Sequence, residues 1–276
     1  MSYLQAKLLF KERKFNQSLQ ILRPLLPLVL EEQGPPPGDL QASDQVALLD
    51  AGFRTKILLL AGRNYVLLDR LDKAEPVLLT AAQLAPGDHL LQFHLGMLYF
   101  STSRFAAAEA AFAKVVRLNP SFLKAHEFLA LSQEELDKVE LAIRSYRTAI
   151  ELSVRRNLGD GSPYLRLGRL LLARNRNEES LPQLEEAARL MPDSAETFFL
   201  LGKTLSALGR PSEAEKALLR SAACDNSYAD PHYLLSRIYL AQSRSAEAQQ
   251  QIQIFEQLKA KEPKNIAKPK PPGWDP

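Results

Sequence analysis

Apolar residues recur at helical spacing through almost the whole chain, in pairs of stripes separated by short polar turns. One example begins with Leu95 and Tyr99, which lie one helical turn apart. After a polar turn at 103–104, Phe105 and Phe112 belong to a second stripe with the same kind of spacing. Such spacing places side chains on one face of an α-helix. The pattern therefore predicts pairs of antiparallel amphipathic helices.

The paired stripes repeat with a period of 34 residues, as between Gly62 and Gly96. Two positions of each repeat carry a small residue, and one longer step contains the insertion Asn157–Gly161. A glycine inside a helix is less favourable than alanine by about 1 kcal/mol, so a recurring one indicates a close helix crossing. The first small position is held by Gly62, Gly96, Ala130, Gly168, Gly202 and Ser236, and the second by Ala74, Ala108, Ala142, Ser180, Ala214 and Ala248.

The period divides the chain into seven helix-turn-helix units and two irregular segments. Pro24 and Pro27 make the first unit the least regular, because proline lacks the N–H that a helix interior needs. A Gly/Pro-rich loop is expected at 31–45, and a flexible Pro/Lys-rich tail at 263–276. The predicted units span 1–30, 55–88, 89–122, 123–156, 161–194, 195–228 and 229–262.

This order of small and aromatic positions, with Pro86, Pro120 and Pro192 closing three units, resembles the tetratricopeptide repeat family. The resemblance covers most of the chain. It implies an all-α, right-handed α-solenoid of about seven helix-turn-helix repeats. It also implies a protein–protein interaction scaffold that binds a peptide or partner segment in its concave groove.

Charge and composition narrow the classes of partner. The net charge of +3 equals the excess of lysines over acids from Lys259 onward, so the repeats are neutral overall. A neutral array argues against a general nucleic-acid surface. No apolar run is long enough for a transmembrane helix, so membrane insertion is not expected. The first residues lack a signal-peptide core, which predicts a cytoplasmic protein, or a periplasmic or secreted one if an export signal has been removed.

The sequence offers no recognisable catalytic chemistry. The glycines do not form a phosphate-binding loop, and His126-Glu127 lacks the second histidine of a zinc-protease helix. A single cysteine excludes cysteine-cluster metal sites. We therefore expect no catalytic residues, no metal site, no cofactor and no enzymatic activity.

A basic residue follows the end of every predicted first helix. A row of such residues allows a phosphate-binding stripe, but a cation at a helix C-terminus also offsets the helix dipole. The structural interpretation is favoured. These edge cations are Lys14, Arg70, Arg104, Lys138, Arg176, Arg210 and Arg244.

The family resemblance places the groove on the inner face of the first helices. In the last three units an apolar residue and a cation stand one turn apart, which favours a partner with apolar and acidic residues. Glu127 interrupts this pattern with an acid, and a merely solvated face remains an alternative. The predicted groove residues are Arg63, Phe93, Met97, Leu131, Leu165, Arg169, Phe199, Lys203, Tyr233 and Arg237.

Two further hypotheses compete with a general scaffold. The family's chaperone-tail clamp uses Lys and Asn pairs in its first two units, and Leu59/Arg63 and Phe93/Met97 do not match it. A substrate-selecting repeat region of a larger enzyme, such as a glycosyltransferase, is the alternative from another class. The partner and the oligomeric state stay open.

Overall fold

The computed structural model describes residues 2–30 and 51–261, and these residues form fifteen α-helices and no strand. The all-α prediction is therefore confirmed. The helices are α1 Ser2–Lys11, α2 Phe15–Leu22, α3 Leu26–Leu30, α4 Ala51–Leu67, α5 Leu71–Leu84, α6 His89–Ser101, α7 Phe105–Leu118, α8 Leu123–Glu135, α9 Val139–Arg155, α10 Ser162–Ala173, α11 Asn177–Leu190, α12 Ala195–Ala207, α13 Pro211–Cys224, α14 Asp230–Ala241 and α15 Ser245–Lys261.

The described residues divide into two compact units, one up to Lys138 and one from Val139 onward. Within each unit, consecutive helices pack as hairpins, and neighbouring hairpins stack on each other. The helices of the fourth predicted repeat fall on either side of this division. The predicted loop at 31–45 and the tail at 263–276 lie outside the described residues.

Two helix boundaries differ from the predicted units. α2 ends at Leu22, because the prolines that follow interrupt it, and the short α3 comes after them. The chain is already helical at Ala51 in α4, four residues before the predicted start of its unit at 55. The three predicted closing prolines act as expected, since α5, α7 and α11 each end two residues before one of them.

The glycines of the first helices lie at very close crossings. A Cβ atom added at Gly96 would lie 2.7 Å from Cε1 of Phe112, and one added at Gly168 would lie 2.6 Å from Cγ of Leu184. Such distances leave no space for a side chain. The small column of the sequence therefore marks the positions where a large residue of the second helix reaches the first helix.

The turn inside each hairpin is built in one way. The residue before the basic position has a positive φ, for example +58° at Ser103, and its N–H donates to the carbonyl of Phe100. The N–H of Arg104 donates to the carbonyl of Tyr99. This pair of bonds is the Schellman motif, which ends a helix with a left-handed residue. The left-handed positions are Arg13, Asp69, Ser103, Asp137, Asn175, Gly209 and Ser243.

None of the described helices combines the length and the apolar character that spanning a lipid bilayer requires.

Candidate functional site

The second unit contains a pocket of about 360 Å³ that brings three predicted groove residues together. Phe199 and Lys203 lie one turn apart on α12, and Tyr233 comes from the neighbouring first helix, α14. Asp230, Leu234 and Phe255 complete the lining. The predicted alignment of equivalent positions on neighbouring first helices therefore produces a shared concave site.

Aromatic contacts hold the walls of this pocket. The Phe199 ring packs edge-on against Tyr228 with ring centres 5.3 Å apart, and the Tyr233 ring lies 5.4 Å from that of Phe255. Burial raises the pKa of the Tyr228 hydroxyl, so this ring stays neutral. Tyr233 nevertheless remains 43% exposed, so part of its ring is available to a ligand.

Charges stand at the rim of the same pocket. Lys203 is exposed, and the Nζ atom of Lys259 lies 3.2 Å from Oδ1 of Asp230. The acid at the rim thus already has a cationic partner within the chain. The site presents aromatic surface beside an ammonium group that faces solvent.

The other predicted residues of the second unit do not line this pocket. Leu165 packs against a buried cluster that includes Leu184, and Arg169 forms a loose ion pair with Glu196 at 3.7 Å. Arg237 is exposed. Of the three apolar-plus-cation pairs, only Phe199/Lys203 stands in the pocket with both members.

Sequence reasoning missed Asp230, Leu234 and Phe255. Phe255 belongs to a second helix, whereas the sequence-based prediction places the groove on first helices alone. A usable signal was present, since Phe255 and Leu258 form an apolar stripe beside the exposed glutamines of α15. An apolar stripe on the last described helix indicates a surface that neighbours do not fully cover.

In the first unit, the prediction of groove-lining side chains was wrong for Met97, Phe93 and Leu131. Met97 is fully buried, Phe93 is 5% exposed and Leu131 is 9% exposed. The rings of Phe122 and Phe128 pack directly on Phe93. These three side chains therefore offer a ligand little or no accessible surface.

The physical reason lies in α6 and α8, which are buried on all sides from Leu91 to Leu98 and from Ala125 to Gln133. A helix that is apolar all round is a core helix. The even distribution of apolar residues along α6 could have indicated this, because it leaves no polar face for a groove.

Arg63 is half-buried inside the first unit. Its guanidinium carbon lies 4.4 Å from the ring centre of Phe10. Burial and the nearby Arg63 charge lower the pKa of His94 to about 3, so this imidazole is neutral. Arg63 therefore serves the packing of the first unit and offers a ligand limited access.

Glu127 also differs from its expected role as an acidic surface. Its side chain is 3% exposed, and one carboxylate oxygen lies 3.2 Å from Nζ of Lys124, which stands on the same helix. The acid is thus part of the interior of the first unit and does not form an exposed interruption of a groove.

Most edge cations form ion pairs with glutamates. They therefore have a second interaction besides the predicted one with the helix dipole. Six of the seven have such a pair within the described residues. Three of them reach the glutamate that directly follows the second small position of the preceding repeat: Arg104 to Glu75 at 2.8 Å, Lys138 to Glu109 at 2.6 Å and Arg244 to Glu215 at 2.9 Å. The others are Arg176 with Glu140 at 2.6 Å and Glu179 at 2.7 Å, Arg210 with Glu213 at 2.6 Å, and Lys14 with Glu12 at 2.8 Å.

The histidines have structural surroundings. His126 Nε2 lies 2.8 Å from the carbonyl of Pro120, and His232 Nδ1 lies 2.7 Å from Oε1 of Gln251. Within residues 2–30 and 51–261, no group of three or more histidine, cysteine or acidic side chains is arranged to hold a metal ion.

A family model described as tetratricopeptide repeat matches residues 59–121, 93–153 and 165–231, which together make up more than half of the chain. Comparison with proteins of curated function gives no match.

Several solved structures have a similar fold. MamA from Desulfovibrio magneticus RS-1 aligns with a TM-score of 0.58 at 16% identity, over 62% of this chain and 95% of that one. YrrB, a TPR protein with an unusual peptide-binding site, aligns with a TM-score of 0.57 at 18% identity, over 67% and 93%. The pilF protein of Pseudomonas aeruginosa aligns with a TM-score of 0.54 at 22% identity, over 61% and 75%. At these identities the similarity is one of fold.

Proposed function

The chain belongs to the tetratricopeptide repeat family, and from this premise we propose that it is a non-enzymatic scaffold that binds a segment of a partner protein in the pocket of its second unit. The observation that carries the proposal is the meeting of Phe199, Lys203 and Tyr233 around one concave surface. YrrB is a TPR protein with a peptide-binding site, so this fold supports the proposed kind of ligand.

The lining of the pocket favours a partner segment with an apolar residue next to an acidic one. The aromatic rings of Phe199, Tyr233 and Phe255 offer contact area at low entropic cost. Lys203 provides a solvated cation that attracts a carboxylate and sets the register of the segment. An apolar side chain thus enters between the rings, and a neighbouring acid faces Lys203.

A protein partner is favoured over a nucleic acid. The edge cations that a phosphate backbone would need are mostly engaged with glutamates. The repeats up to residue 258 carry no net charge. Nucleic-acid affinity depends on a surplus of positive charge that contacts phosphates.

We predict that Lys203→Glu weakens binding of a cognate peptide about tenfold or more at low salt. The peptide is obtained by selection from a random peptide library on the full chain and is titrated against each variant by calorimetry. The reversed charge repels the acidic residue and removes electrostatic steering, so the slower association rate accounts for much of the loss. Added salt narrows the difference between wild type and variant.

Arg210→Glu is the matched control, since it reverses a charge of the same unit at its edge, away from the pocket. Its affinity is expected to stay within about twofold of the wild type. A selected peptide whose affinity falls with Arg210→Glu but not with Lys203→Glu would show that the binding site lies at the edge and not in the pocket.

A further inference from the structure

A second pocket, of about 330 Å³, lies in the first unit and has a strongly one-sided charge. Its polar lining consists of Asn16, Gln20, Arg23, Arg70 and Lys73, and Leu19 and Tyr65 supply the remainder. No acidic side chain among the described residues lines it. The acids nearest in sequence, Asp69 and Asp72, flank Arg70 and do not contribute to the lining.

Arg70 is the edge cation that forms no ion pair with any described residue, and the sequence explains why. In other repeats the partner is a glutamate one position after the second small residue of the preceding repeat, such as Glu75 for Arg104. For Arg70 this position holds Leu19. Other edge cations pair with a glutamate three residues later, such as Glu213 for Arg210. For Arg70 that position holds Lys73.

The repeat register of the first unit is supported by a shared hydrogen bond. The hydroxyl of Ser18 donates to the carbonyl of Ala6, twelve residues earlier, over 2.8 Å. The hydroxyl of Ser180 donates in the same way to the carbonyl of Gly168, twelve residues earlier, over 2.7 Å. Ser18 therefore occupies the second small position of its repeat.

In this register the second unit contains a charge-balanced copy of the same surface. The first two of its four residues stand on α9: Glu140 lies two residues before the small residue Ala142, and Arg147 lies five residues after it. The other two precede the small residue Ser180: Arg176 by four residues and Glu179 by one. Arg176 contacts Glu140 at 2.6 Å and Glu179 at 2.7 Å, and Arg147 lies 3.6 Å from Glu179. The charges of two cations and two acids thus balance each other on this surface.

The same four positions of the first unit hold Asn16, Arg23, Arg70 and Lys73. Both arginines are kept, whereas one glutamate is replaced by an amide and the other by a third cation. Like charges gathered in one pocket repel each other, and an anion that enters relieves the repulsion. The second unit thus supplies its own carboxylates at this surface, whereas the same positions of the first unit hold none.

We propose that this pocket binds a phosphoryl group, held by Arg23, Arg70 and Lys73. A phosphate monoester carries a charge of about −1.5 to −2 near neutral pH, which suits three cations better than a single carboxylate does. Guanidinium groups match phosphate oxygens with two parallel hydrogen bonds, and the Lys73 ammonium adds a point charge. The Tyr65 hydroxyl and the Asn16 and Gln20 amides supply neutral donors.

The size of the pocket limits the ligand to a small one, since about 330 Å³ lies at the lower end of small-molecule sites. The phosphoryl group belongs either to a free compound or to a phosphorylated side chain. The site lies in the first unit and does not depend on the proposed function of the pocket in the second.

The test uses the full chain and three probes at low salt: inorganic pyrophosphate, a short Gly/Ala peptide with a central phosphoserine, and its unphosphorylated form. Calorimetry is expected to show one saturable site for a phosphorylated probe and none for the plain peptide. Lys73→Glu and the double variant Asn16→Glu/Lys73→Glu, which copy the acids of the second unit, should weaken binding at least tenfold. Circular dichroism checks that the helical content of each variant is unchanged.

Two further variants complete the design. Lys216→Glu changes the net charge as much as Lys73→Glu does, at an exposed residue outside the pocket, and should leave the affinity within twofold. Glu140→Asn/Glu179→Lys opens the balanced surface and should create a second site of similar affinity. Failure to create it would overturn the assignment to these four positions.

The remaining outcomes are equally decisive. Tighter binding of the phosphopeptide than of pyrophosphate identifies a phosphorylated protein as the source, and the reverse order identifies a free phosphate compound. The proposal is overturned if no phosphorylated probe binds, or if Lys216→Glu weakens binding as much as Lys73→Glu. Single-stranded oligonucleotides of increasing length serve as a fourth probe. Affinity that grows with their length would also overturn the proposal, since the ligand is then a nucleic-acid backbone.

Discussion

At the scale of single residues, the glycines of the first helices set how closely the two helices of a hairpin approach. The Phe112 ring occupies the space where a side chain at Gly96 would stand. Both residues are buried, so neither can move aside into solvent. The packing of the hairpin therefore depends on the absence of a side chain at this position.

We predict that Gly96→Leu lowers the free energy of unfolding by about 2 kcal/mol or more, measured by urea denaturation. Overpacking a tight core typically costs about 1–3 kcal/mol, and it outweighs the higher helix propensity of leucine. Gly87→Ala is the control, because a Cβ atom at Gly87 meets nothing within 4 Å. An unfolding free energy of Gly96→Leu equal to that of the wild type would contradict the close crossing.

The buried His94 makes the stability of the first unit depend on pH. Burial, with the Arg63 charge, lowers the pKa of His94 to about 3 in the folded state. The unfolded chain therefore binds more protons between about pH 6.5 and pH 3, and stability is lost as the pH falls through this range. The contribution is at most about 1.4 kcal/mol for each pH unit.

The expected result is a flatter pH dependence of the unfolding free energy for His94→Gln than for the wild type between pH 7 and pH 4. Urea midpoints at several pH values measure it. Carboxylates titrate in the same range in both proteins, so the difference between the two slopes is the informative quantity. Identical slopes would show that His94 does not titrate as a buried neutral group.

The residue scale also shows where sequence reasoning failed. Met97 and Lys203 occupy the same position in their repeats, yet Lys203 is exposed and Met97 is buried. The difference arises because the two residues lie on helices with different surroundings. Periodicity assigns a position within the repeat. It does not report how closely the neighbouring helices cover that position.

At the scale of elements, the hairpin turn is the most regular feature of the chain. Each turn requires a residue with positive φ, and Gly209 is the glycine among the seven. For residues with a Cβ atom, the left-handed conformation is strained by roughly 1–2 kcal/mol. Six of the seven Schellman turns thus contain a non-glycine residue whose backbone is strained in the left-handed conformation.

We predict that Ser103→Gly stabilises the first unit slightly, by up to about 1 kcal/mol. The free energy gained by relieving the strained φ of +58° is larger than the free-energy cost of the conformational entropy that glycine adds to the unfolded chain. Thermal and urea denaturation measure the change. Gly209→Ala, at the equivalent turn, should change the stability in the opposite direction, and a destabilised Ser103→Gly protein would refute the argument.

Most of the elements could be predicted from the sequence. The paired stripes and the small columns identified the hairpins, because helix crossing distances depend directly on side-chain size. The short α3 was missed, since Pro24 and Pro27 indicate only where the helix pattern breaks. The ion pairs between repeats were missed as well, because Glu75 and Arg104 are 29 residues apart and meet only when hairpins stack.

At the scale of the whole molecule, the two compact units carry different candidate surfaces. The second unit has an aromatic pocket with a cation at its rim, and the first has a pocket lined by three cations. The ion pairs along the edge neutralise the other basic positions.

The candidate site could be predicted only in part. Phe199, Lys203 and Tyr233 were found, because equivalent positions on adjacent first helices face the same side. Asp230 and Phe255 were not, since their approach depends on the way α15 packs beside α14. The right-handed course of the complete solenoid and the compartment of the protein stay predictions.

The central claim, that a partner segment binds in the pocket of the second unit, is tested most directly by site-specific photo-cross-linking. A photoreactive amino acid replaces Tyr233 in one variant and Leu219 in another, two residues of the same unit with nearly equal exposure, 43% and 45%. The selected peptide is expected to cross-link to the chain at position 233 and not at 219. Cross-linking at 219 with none at 233 would contradict the account.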